Sequence, residues 1–419
     1  MIRNILLDLD DTIFDFHKAE SIALSKALVD FGIEPTREIC ARYSEINISQ
    51  WKRLELGEIT RNEVHINRFK ILMSELGVSI QPESIARVYK EYLSCGHYYM
   101  EDALESIQEL AKHYRLYIVS NGTYSVQKGR LDSANIYPLF QGIFISEQIG
   151  YEKPSPFFFK ECFAKIPDFR KEETIIVGDS LTSDIKGGIL SGLRTVWLHR
   201  PNAKRDLQIK PDYSVVSWKA FLALLPEINL YSDILCFEPI NEQEERDKEL
   251  ILHSLETEKD IFDRSNRLAH ITASGWVYNK EHTKVLMAYH NIYQSWSWLG
   301  GHADGDRNLL ETAIREVREE SGIQNVTPIT EGIFSLESLT VDGHEKNGEY
   351  VSSHLHLNIT YLLEADENEA VCAALDENSA VAWFSPEKAI AASTEPWFQK
   401  RVYRKLVEKM HIINGKAID

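Results

Sequence analysis

The stretch ILLDLDDTIFDF, residues 5–16, runs an apolar segment directly into a group of carboxylates. Side chains on a strand repeat every two residues, so Asp8 and Asp10 can both face a ligand where this strand ends. Two such carboxylates can share a Mg²⁺ ion with substrate phosphate oxygens, or divide the roles of nucleophile and acid–base catalyst. The alternative is a polar strand end followed by a helix N-cap.

Short β-branched runs alternate with helix-like stretches after residue 115. This rhythm predicts an α/β, Rossmann-like doubly wound parallel sheet with crossover helices. Because such sheets bind ligands at the carboxyl ends of their strands, we expect Asp8, Ser120 and Asp179 to meet at one edge. Helical periodicity dominates between about residues 18 and 112, which predicts an α-helical insertion at about residues 15–100. The runs are LYIVSNG (116–122), GIFIS (142–146), TIIVGDS (174–180) and RTVWLH (194–199).

Four segments in fixed order resemble the motifs of the haloacid dehalogenase (HAD) superfamily of phosphohydrolases. They are DLDDT (8–12), VSNGT (119–123), GYEKPSP (150–156) and IIVGDSLTSD (175–184). The resemblance covers residues 1 to about 228, so we expect residues 1–230 to form the first domain. The helical insertion looks like the cap of members that act on small phosphomonoesters. The sequence DLDDTIFDF is similar to the first motif of the subgroup that includes nucleoside 5'-monophosphatases.

The resemblance implies a role for each matching residue. Asp8 would be the nucleophile that forms an aspartyl-phosphate, and Asp10 the general acid and base. Contacts to the phosphoryl group and the rest of the substrate would come from Ser120, Asn121, Gly122 and Lys153. The Mg²⁺ site would comprise Asp8, Asp10 through its backbone carbonyl, Asp179 and Asp184.

The second half of the chain has a different organisation. A charged segment, NEQEERDKEL (241–250), leads into a second set of strands, and we place the domain boundary near residue 230. Strands at 269–279, 284–291 and 353–364, with helices at 308–321 and near 396–411, predict an α+β domain over residues 231–419.

A dense glutamate-rich helix follows a double glycine in GGHADGDRNLLETAIREVREESGI (300–323). Glu316, Glu319 and Glu320 lie on one flank, where like charges repel unless a divalent cation binds them. The alternative is a solvated helix face. The sequence of this segment closely resembles the Nudix box, and residues from about 232 to 419 look like a Nudix hydrolase domain. Members hydrolyse a nucleoside diphosphate linked to another group, using Mg²⁺ or Mn²⁺.

This second resemblance implies that Glu316, Glu319 and Glu320 are metal ligands, one of them a candidate water-activating base. Arg315 would orient them, and Gly301 would contact the substrate. One position departs from the family pattern: Arg307 stands where a glutamate is expected. Asp304 and Asp306 are candidates to compensate for it.

Two aromatic pairs near this region have ordinary explanations. His354 and His356 alternate on a strand and could share a face toward substrate or metal, but we favour partly exposed strand histidines. Trp296 and Trp298 could stack on a base, and core packing explains them equally well.

The composition narrows the classes of function. A formal net charge of −18 disfavours a nucleic-acid polymer as partner, and an anionic ligand would need a cation to help it bind. The two resemblances imply a small nucleotide or other phosphorylated substrate. The five cysteines are far apart without a CxxC pair, which indicates neither a zinc cluster nor a disulfide framework. Without a targeting signal or an apolar run near the roughly 20 residues of a membrane span, we expect a cytoplasmic protein.

These expectations combine into one hypothesis, a bifunctional Mg²⁺-dependent hydrolase for nucleotide clearance or salvage. Its Nudix domain would cleave a phosphoanhydride, and its first domain would dephosphorylate the resulting monophosphate. One alternative is a HAD phosphatase regulated by a ligand-sensing, catalytically weak Nudix domain. Another is a pair of activities on unrelated substrates.

Overall fold

The structure, a computed structural model, describes residues 1–55, 57–201, 203–346, 349–374, 378–413 and 415. The chain divides into two compact units, Ile2–Leu225 and Pro226–Asp419, with Met1 grouped in the latter. The divide falls inside one helix, Trp218–Cys236, a few residues before the expected boundary near residue 230.

The first unit is built on a six-stranded sheet in which every neighbouring pair is parallel. The strand order is β3-β2-β1-β4-β5-β6, so the sheet reverses its direction of growth at β1 and β4. This topology confirms the predicted doubly wound α/β fold. The strands are β1 (Asn4–Leu7), β2 (Arg115–Ser120), β3 (Phe140–Ile145), β4 (Thr174–Gly178), β5 (Arg194–Leu198) and β6 (Tyr213–Val215).

Four of the five helices between β1 and β2 form the cap, with their own apolar core around Tyr43, Phe69 and Tyr89. The cap helices are α1 (Phe16–Asp30), α2 (Arg37–Glu55), α3 (Arg61–Leu76) and α4 (Pro82–Ser94). The remaining helices of this half are α5 (Ala103–His113), α6 (Tyr124–Ser133), α7 (Ser146–Ile149), α8 (Pro156–Phe163), α9 (Lys186–Ser191) and α10 (Trp218–Cys236).

The second unit contains a mixed eight-stranded sheet with helices, as the α+β layout predicts. At its centre, β15 runs parallel to β7 from the pair Leu355/Ala269 to the pair Ala365/Asn279. Every residue of β7 is buried, and its alternate side chains enter two different apolar clusters, one with Ile271 and one with Trp276.

The elements of the second unit are as follows. The strands are β7 (Ala269–Asn279), β8 (Val285–His290), β9 (Ser295–Ser297), β10 (Leu299–His302), β11 (Val326–Pro328), β12 (Ser335–Val341), β13 (His344–Lys346), β14 (Glu349–Val351), β15 (His354–Ala365) and β16 (Asn378–Phe384). The helices are α11 (Glu242–Thr257), α12 (Leu309–Ser321), α13 (Pro386–Ala392) and α14 (Arg404–Ile413). Strands β13 and β14 pair only with each other among the described residues.

The charged segment at 241–250 is the start of helix α11. Glu244 is fully buried there, and the ammonium group of Lys409 donates to both of its oxygens, at 2.7 and 2.8 Å. Its partner lies 165 positions away, which explains why the sequence alone did not indicate a buried carboxylate. Among the described residues, no helix is long and apolar enough to cross a membrane.

Candidate active sites

The first candidate site lies where β1, β2 and β4 end. Asp8 directly follows β1, Ser120 is the last residue of β2, and Asp179 follows β4. Because the three strands are parallel neighbours, their carboxyl ends bring these residues together, as the sequence predicts. After Asp8 the chain turns sharply, with Asp11 in the left-handed region at φ 56°.

A buried lysine connects two of the carboxylates. Lys153 is 2% exposed, and its ammonium group donates to Asp8 Oδ1 and Asp184 Oδ1, both at 2.6 Å, and to the Val119 carbonyl at 2.7 Å. Burial lowers the pKa of Lys153, but Asp184 and Asp8 outweigh burial and raise it above its usual range. The lysine is therefore charged and fixed by three acceptors.

The carboxylates of this site repel one another. Burial raises the pKa of Asp8 to about 7, with Lys153 opposing the rise and Asp184 and Asp10 adding to it. Burial, then Asp8 and Asp184, raises the pKa of Asp179 well above its usual value. Carboxylate oxygens of Asp8, Asp179 and Asp184 all lie within 4.8 Å of one another. Three carboxylates beside one lysine leave an excess of negative charge, and a hard divalent cation with oxygen ligands fits this set.

Asp10 is held by two residues that the sequence analysis missed. Gln127 Nε2 donates to Asp10 Oδ2 at 2.6 Å and to Ser120 Oγ at 2.9 Å, and the buried Arg130 is ion-paired with Asp10. Both lie on α6, three residues apart and so on one face. The Asp10 side chain thus points to α6 and is not one of the three carboxylates gathered above. This position is compatible with the sequence analysis, which assigned the backbone carbonyl of Asp10, and not its side chain, to the metal.

The predicted substrate residues Asn121 and Gly122 shape the loop after β2. Asn121 exchanges two hydrogen bonds with the backbone of Lys153, at 2.8 and 2.9 Å, and so fixes the loop that carries this lysine. A side chain at Gly122 would lie 2.7 Å from the amide carbon of Gln127, so only glycine leaves Gln127 room to reach Asp10.

A cavity of about 570 Å³ lies over these groups, between the strand ends and the cap. The cap contributes an aromatic side chain, Trp51, and the cationic residues Arg68, Arg87 and Lys90. His65 also lines it, 3.0 Å from Thr123 Oγ1; burial, then Arg68 and Arg61, lowers the pKa of His65 to about 3.

Arg61 of the cap contacts the loop after β2 directly. Its guanidinium donates to the carbonyls of Asn121 and Gly122, both at 2.8 Å, and to Ser146 Oγ at 2.6 Å and Glu152 Oε1 at 2.8 Å. Neither this residue nor His65 belongs to a recognisable motif, so the sequence alone did not single them out.

The second candidate site surrounds helix α12. The helix begins after Asn308, whose side chain accepts from the backbone of Glu311, and ends at Gly322 with φ 78°, as its sequence predicts. The double glycine on β10 permits a close approach. A side chain at Gly301 would lie 2.5 Å from the carboxylate carbon of Glu316. Arg315 lies 3.5 Å from Glu316 Oε1 and 3.4 Å from Asp306 Oδ2.

The three glutamates of this helix differ in their surroundings. Glu320 is 7% exposed and accepts from Gly300 N at 2.9 Å and Asn378 Nδ2 at 3.0 Å. Glu319 is exposed, and Glu316 is partly buried. Among the described residues, these carboxylates are not one of the sets whose ligand atoms all lie within 4.8 Å.

The departure at Arg307 has a structural counterpart. Its guanidinium pairs with Glu227 at 2.8 Å and lies over the ring of Phe262, 5.3 Å from the centroid. Asp304, a candidate to compensate for the missing glutamate, is paired with Arg264, with an Nε–Oδ1 distance of 2.6 Å. A metal bound by Asp304 would therefore have to displace Arg264 or share the carboxylate with it.

The two aromatic pairs have clear positions. Trp296 and Trp298 are partly buried and pack against the apolar cluster of Trp276. His354 and His356 are partly exposed on β15, with Nε2 atoms 3.2 Å apart. Burial, then the neighbouring histidines, lowers the pKa of His356 to about 2.

Comparisons with known proteins match both halves. Residues 5–198 match the model of haloacid dehalogenase-like hydrolases, and residues 268–406 match that of the NUDIX domain. The HAD-hydrolase YfnB of Bacillus subtilis is 40% identical over 51% of this chain and 91% of its own length. Pyrimidine 5'-nucleotidase PynA of Streptococcus pneumoniae is 34% identical over 53% of this chain and 94% of its own length. A crystal structure of YfnB bound to magnesium superposes with a TM-score of 0.52 at 38% identity, over 54% of this chain and 98% of that one.

Proposed function

Because the chain belongs to the haloacid dehalogenase-like hydrolases and carries a NUDIX domain, we propose that it is a hydrolase with two active sites. The first unit is a phosphomonoesterase, and the second a nucleotide pyrophosphohydrolase. The observation that carries the first assignment is the buried group of Asp8, Lys153, Asp179 and Asp184 beneath the capped cavity. This arrangement supports Asp8 as the nucleophile, Lys153 as a fixed cation beside it, and Asp8, Asp179 and Asp184 as candidate metal ligands.

The reaction of the first site proceeds in two displacements. Asp8 attacks the phosphorus, and the bond to the leaving oxygen breaks while Asp10, carrying a proton, donates that proton to it. Asp10 then takes a proton from the water that attacks the phosphorus of the aspartyl-phosphate, which releases inorganic phosphate and restores Asp8. Lys153 and Ser120 hold the phosphoryl oxygens. Asp8, Asp179 and Asp184, with the Asp10 carbonyl, would hold Mg²⁺, which would offset charge on the phosphoryl group.

A nucleoside monophosphate is the substrate class that this cavity supports best. Its volume of about 570 Å³ falls within the ~300–1,000 Å³ of small-molecule sites. Trp51 offers a flat apolar surface for a base, and the carboxylate end of the cavity takes the phosphate. A similar protein, PynA, is a pyrimidine 5'-nucleotidase, which favours a pyrimidine nucleotide here.

The second site cleaves a phosphoanhydride in a nucleoside diphosphate derivative. Glu316, Glu319 and Glu320 would hold Mg²⁺ or Mn²⁺, and Arg315 orients Glu316 across their 3.5 Å contact. Cleavage of such a compound releases a nucleoside monophosphate, which is the substrate of the first site. Chemistry in sequence therefore gives a reason for two hydrolases in one chain, with nucleotide clearance or salvage as the outcome.

A second candidate is supported by the surroundings of α12. Glu320 is already engaged by Gly300 and Asn378, and Arg307 pairs with Glu227 where a glutamate is expected. A Nudix unit built this way could bind a nucleotide without hydrolysing it and regulate the phosphatase.

One experiment on the full chain separates these candidates. Asp8→Asn protein is incubated with Mg²⁺ and a panel of nucleoside triphosphates and diphosphate-linked nucleotides. We expect monophosphate to accumulate, whereas the unaltered protein goes on to release nucleoside and inorganic phosphate. The double variant Glu316→Gln/Glu320→Gln should release neither nucleoside nor inorganic phosphate from these substrates. Glu311→Gln, at an exposed position of the same helix, should release both as the unaltered protein does. If no monophosphate ever forms, the proposed sequence of two hydrolyses is wrong and the nucleotide-sensing candidate stands.

A further inference from the structure

A group of imidazoles lies in the second unit, at residues that neither candidate site uses. His270 is on β7, His356 is its register partner on β15, and His302 ends β10, which pairs with β7. The ring centroids of the three pairs are 4.8 to 5.1 Å apart. One ring nitrogen from each histidine lies within 4.8 Å of the others. Three strands thus bring their imidazoles to one point.

His270 has a buried nitrogen with nothing to bind. The side chain is 4% exposed, and Nδ1 lies 3.1 Å from the Asn266 carbonyl, which assigns the proton to Nδ1. Nε2 then carries a lone pair, and it has no hydrogen-bond partner among the residues that the structure describes. Buried polar atoms normally have a partner, so this nitrogen requires an explanation.

A neighbouring histidine is oriented in the same way. His354 Nδ1 lies 2.8 Å from the Ser352 carbonyl, and its Nε2 lies 3.2 Å from His356 Nε2. Metal-ligating histidines usually donate their second N–H to a backbone carbonyl, which fixes the tautomer and the ring orientation. Two rings of this group already have that arrangement.

We propose that His270, His302 and His356 bind a transition-metal ion of the Zn²⁺ class, with His354 beside them. Imidazole nitrogen suits Zn²⁺, Cu²⁺ and Ni²⁺, whereas Mg²⁺ requires oxygen ligands. Tetrahedral Zn²⁺ with bonds of about 2.0–2.1 Å places two ligand nitrogens roughly 3.4 Å apart. Nitrogens already within 4.8 Å reach that separation by small side-chain rotations.

The local charge permits a cation. Arg264 acts electrostatically on His270 and His356, but its guanidinium is paired with Asp304 through two hydrogen bonds. Neutral imidazole is the form that binds metals. A bound ion would connect β7, β10 and β15, and β10 also carries Gly301 of the second candidate site.

The test uses the full-length protein without a polyhistidine tag. The protein is stripped with a chelator and kept in excess Mg²⁺, which occupies sites built from oxygen ligands. Co²⁺ is then added as a visible-light reporter for Zn²⁺, and bound metal is counted by elemental analysis. We expect one Co²⁺ per chain with the visible absorption of a nitrogen-ligated ion, displaced by one equivalent of Zn²⁺.

Single substitutions assign the ligands. His302→Gln and His356→Gln should each weaken Co²⁺ binding at least tenfold and remove the thermal stabilisation by Zn²⁺. The matched control is His253→Gln, an exposed histidine on α11, which should bind as the unaltered protein does. If His356→Gln fails to fold, the partly exposed His302 decides the question. Absence of Co²⁺ binding in excess Mg²⁺, or binding unchanged by His302→Gln, overturns the proposal.

Discussion

Replacing Gly301 by alanine should move one carboxylate of the second site without unfolding the domain. The added methyl group would lie 2.5 Å from the Glu316 carboxylate carbon, whereas ordinary contacts begin at 3.4 Å. The carboxylate must therefore shift by about 0.9 Å, the difference between these distances. A displacement of about 1 Å in a catalytic group can reduce a rate on the order of 100-fold, or about 2.7 kcal/mol in the activation free energy.

The free energy of unfolding should change little in the same variant. The methyl group meets the far end of a flexible side chain, and exchange of glycine for alanine within a strand removes a penalty of about 0.5–1 kcal/mol. The structure thus predicts a loss of activity that is separate from any loss of stability.

The assay follows monophosphate release in an Asp8→Asn background, so that the product is not consumed. Gly332→Ala is the matched control, because its methyl group would have no atom within 4 Å and its backbone does not require glycine. We expect kcat/KM to fall about 100-fold in Gly301→Ala and to stay within threefold in the control. Normal activity in Gly301→Ala with unchanged melting would refute the role of Glu316, and an equal loss in both variants would refute the geometric explanation.

Three further perturbations test other parts of the molecule. Gln127→Leu removes the 2.6 Å hydrogen bond to Asp10. Steady-state kinetics should show the phosphatase kcat reduced roughly 10-fold or more with KM little changed. A rise in KM as large as the fall in kcat would contradict a positioning role for Gln127. The pKa of His65 is lowered to about 3, so the unfolded chain gains a proton below about pH 6.5 that the folded cap cannot accept. Denaturant titrations should therefore show that the unaltered protein loses up to about 2 kcal/mol of stability relative to His65→Gln between pH 7 and pH 5; a constant difference between the two proteins would contradict the lowered pKa. Lys409→Met leaves the buried Glu244 without one of its cations and should lower the unfolding free energy by about 3 kcal/mol; calorimetry showing no shift in any thermal transition would contradict a buried ion pair of that strength.

The sequence predicted the parts of the first site that follow strands. Asp8, Ser120 and Asp179 each adjoin an apolar run of parallel-sheet character, and the topology of such sheets fixes where their ends meet. The partners of Asp10 could not be found this way. Gln127 is 117 positions from Asp10, and only the packed position of α6 brings them together.

The spacing of residues also predicts which face of a helix they share better than it predicts how deeply each one is buried. Glu316, Glu319 and Glu320 share a flank of α12, as their spacing predicts, yet one is exposed and another is buried against Gly300. Neighbouring strands rather than the helix determine this difference. The sequence analysis considered His354 and His356 but missed His270 and His302, since these two lie on other strands that are distant in sequence from β15.

The four hydrogen bonds from Arg61 have a consequence for attempts to exchange specificity between related enzymes. A cap grafted from another protein would bring new walls to the cavity, but without an equivalent guanidinium the backbone oxygens of Asn121 and Gly122 would lose the donors that now hold them. Such a chimera would need an arginine at the start of its third cap helix before its altered substrate preference could be judged.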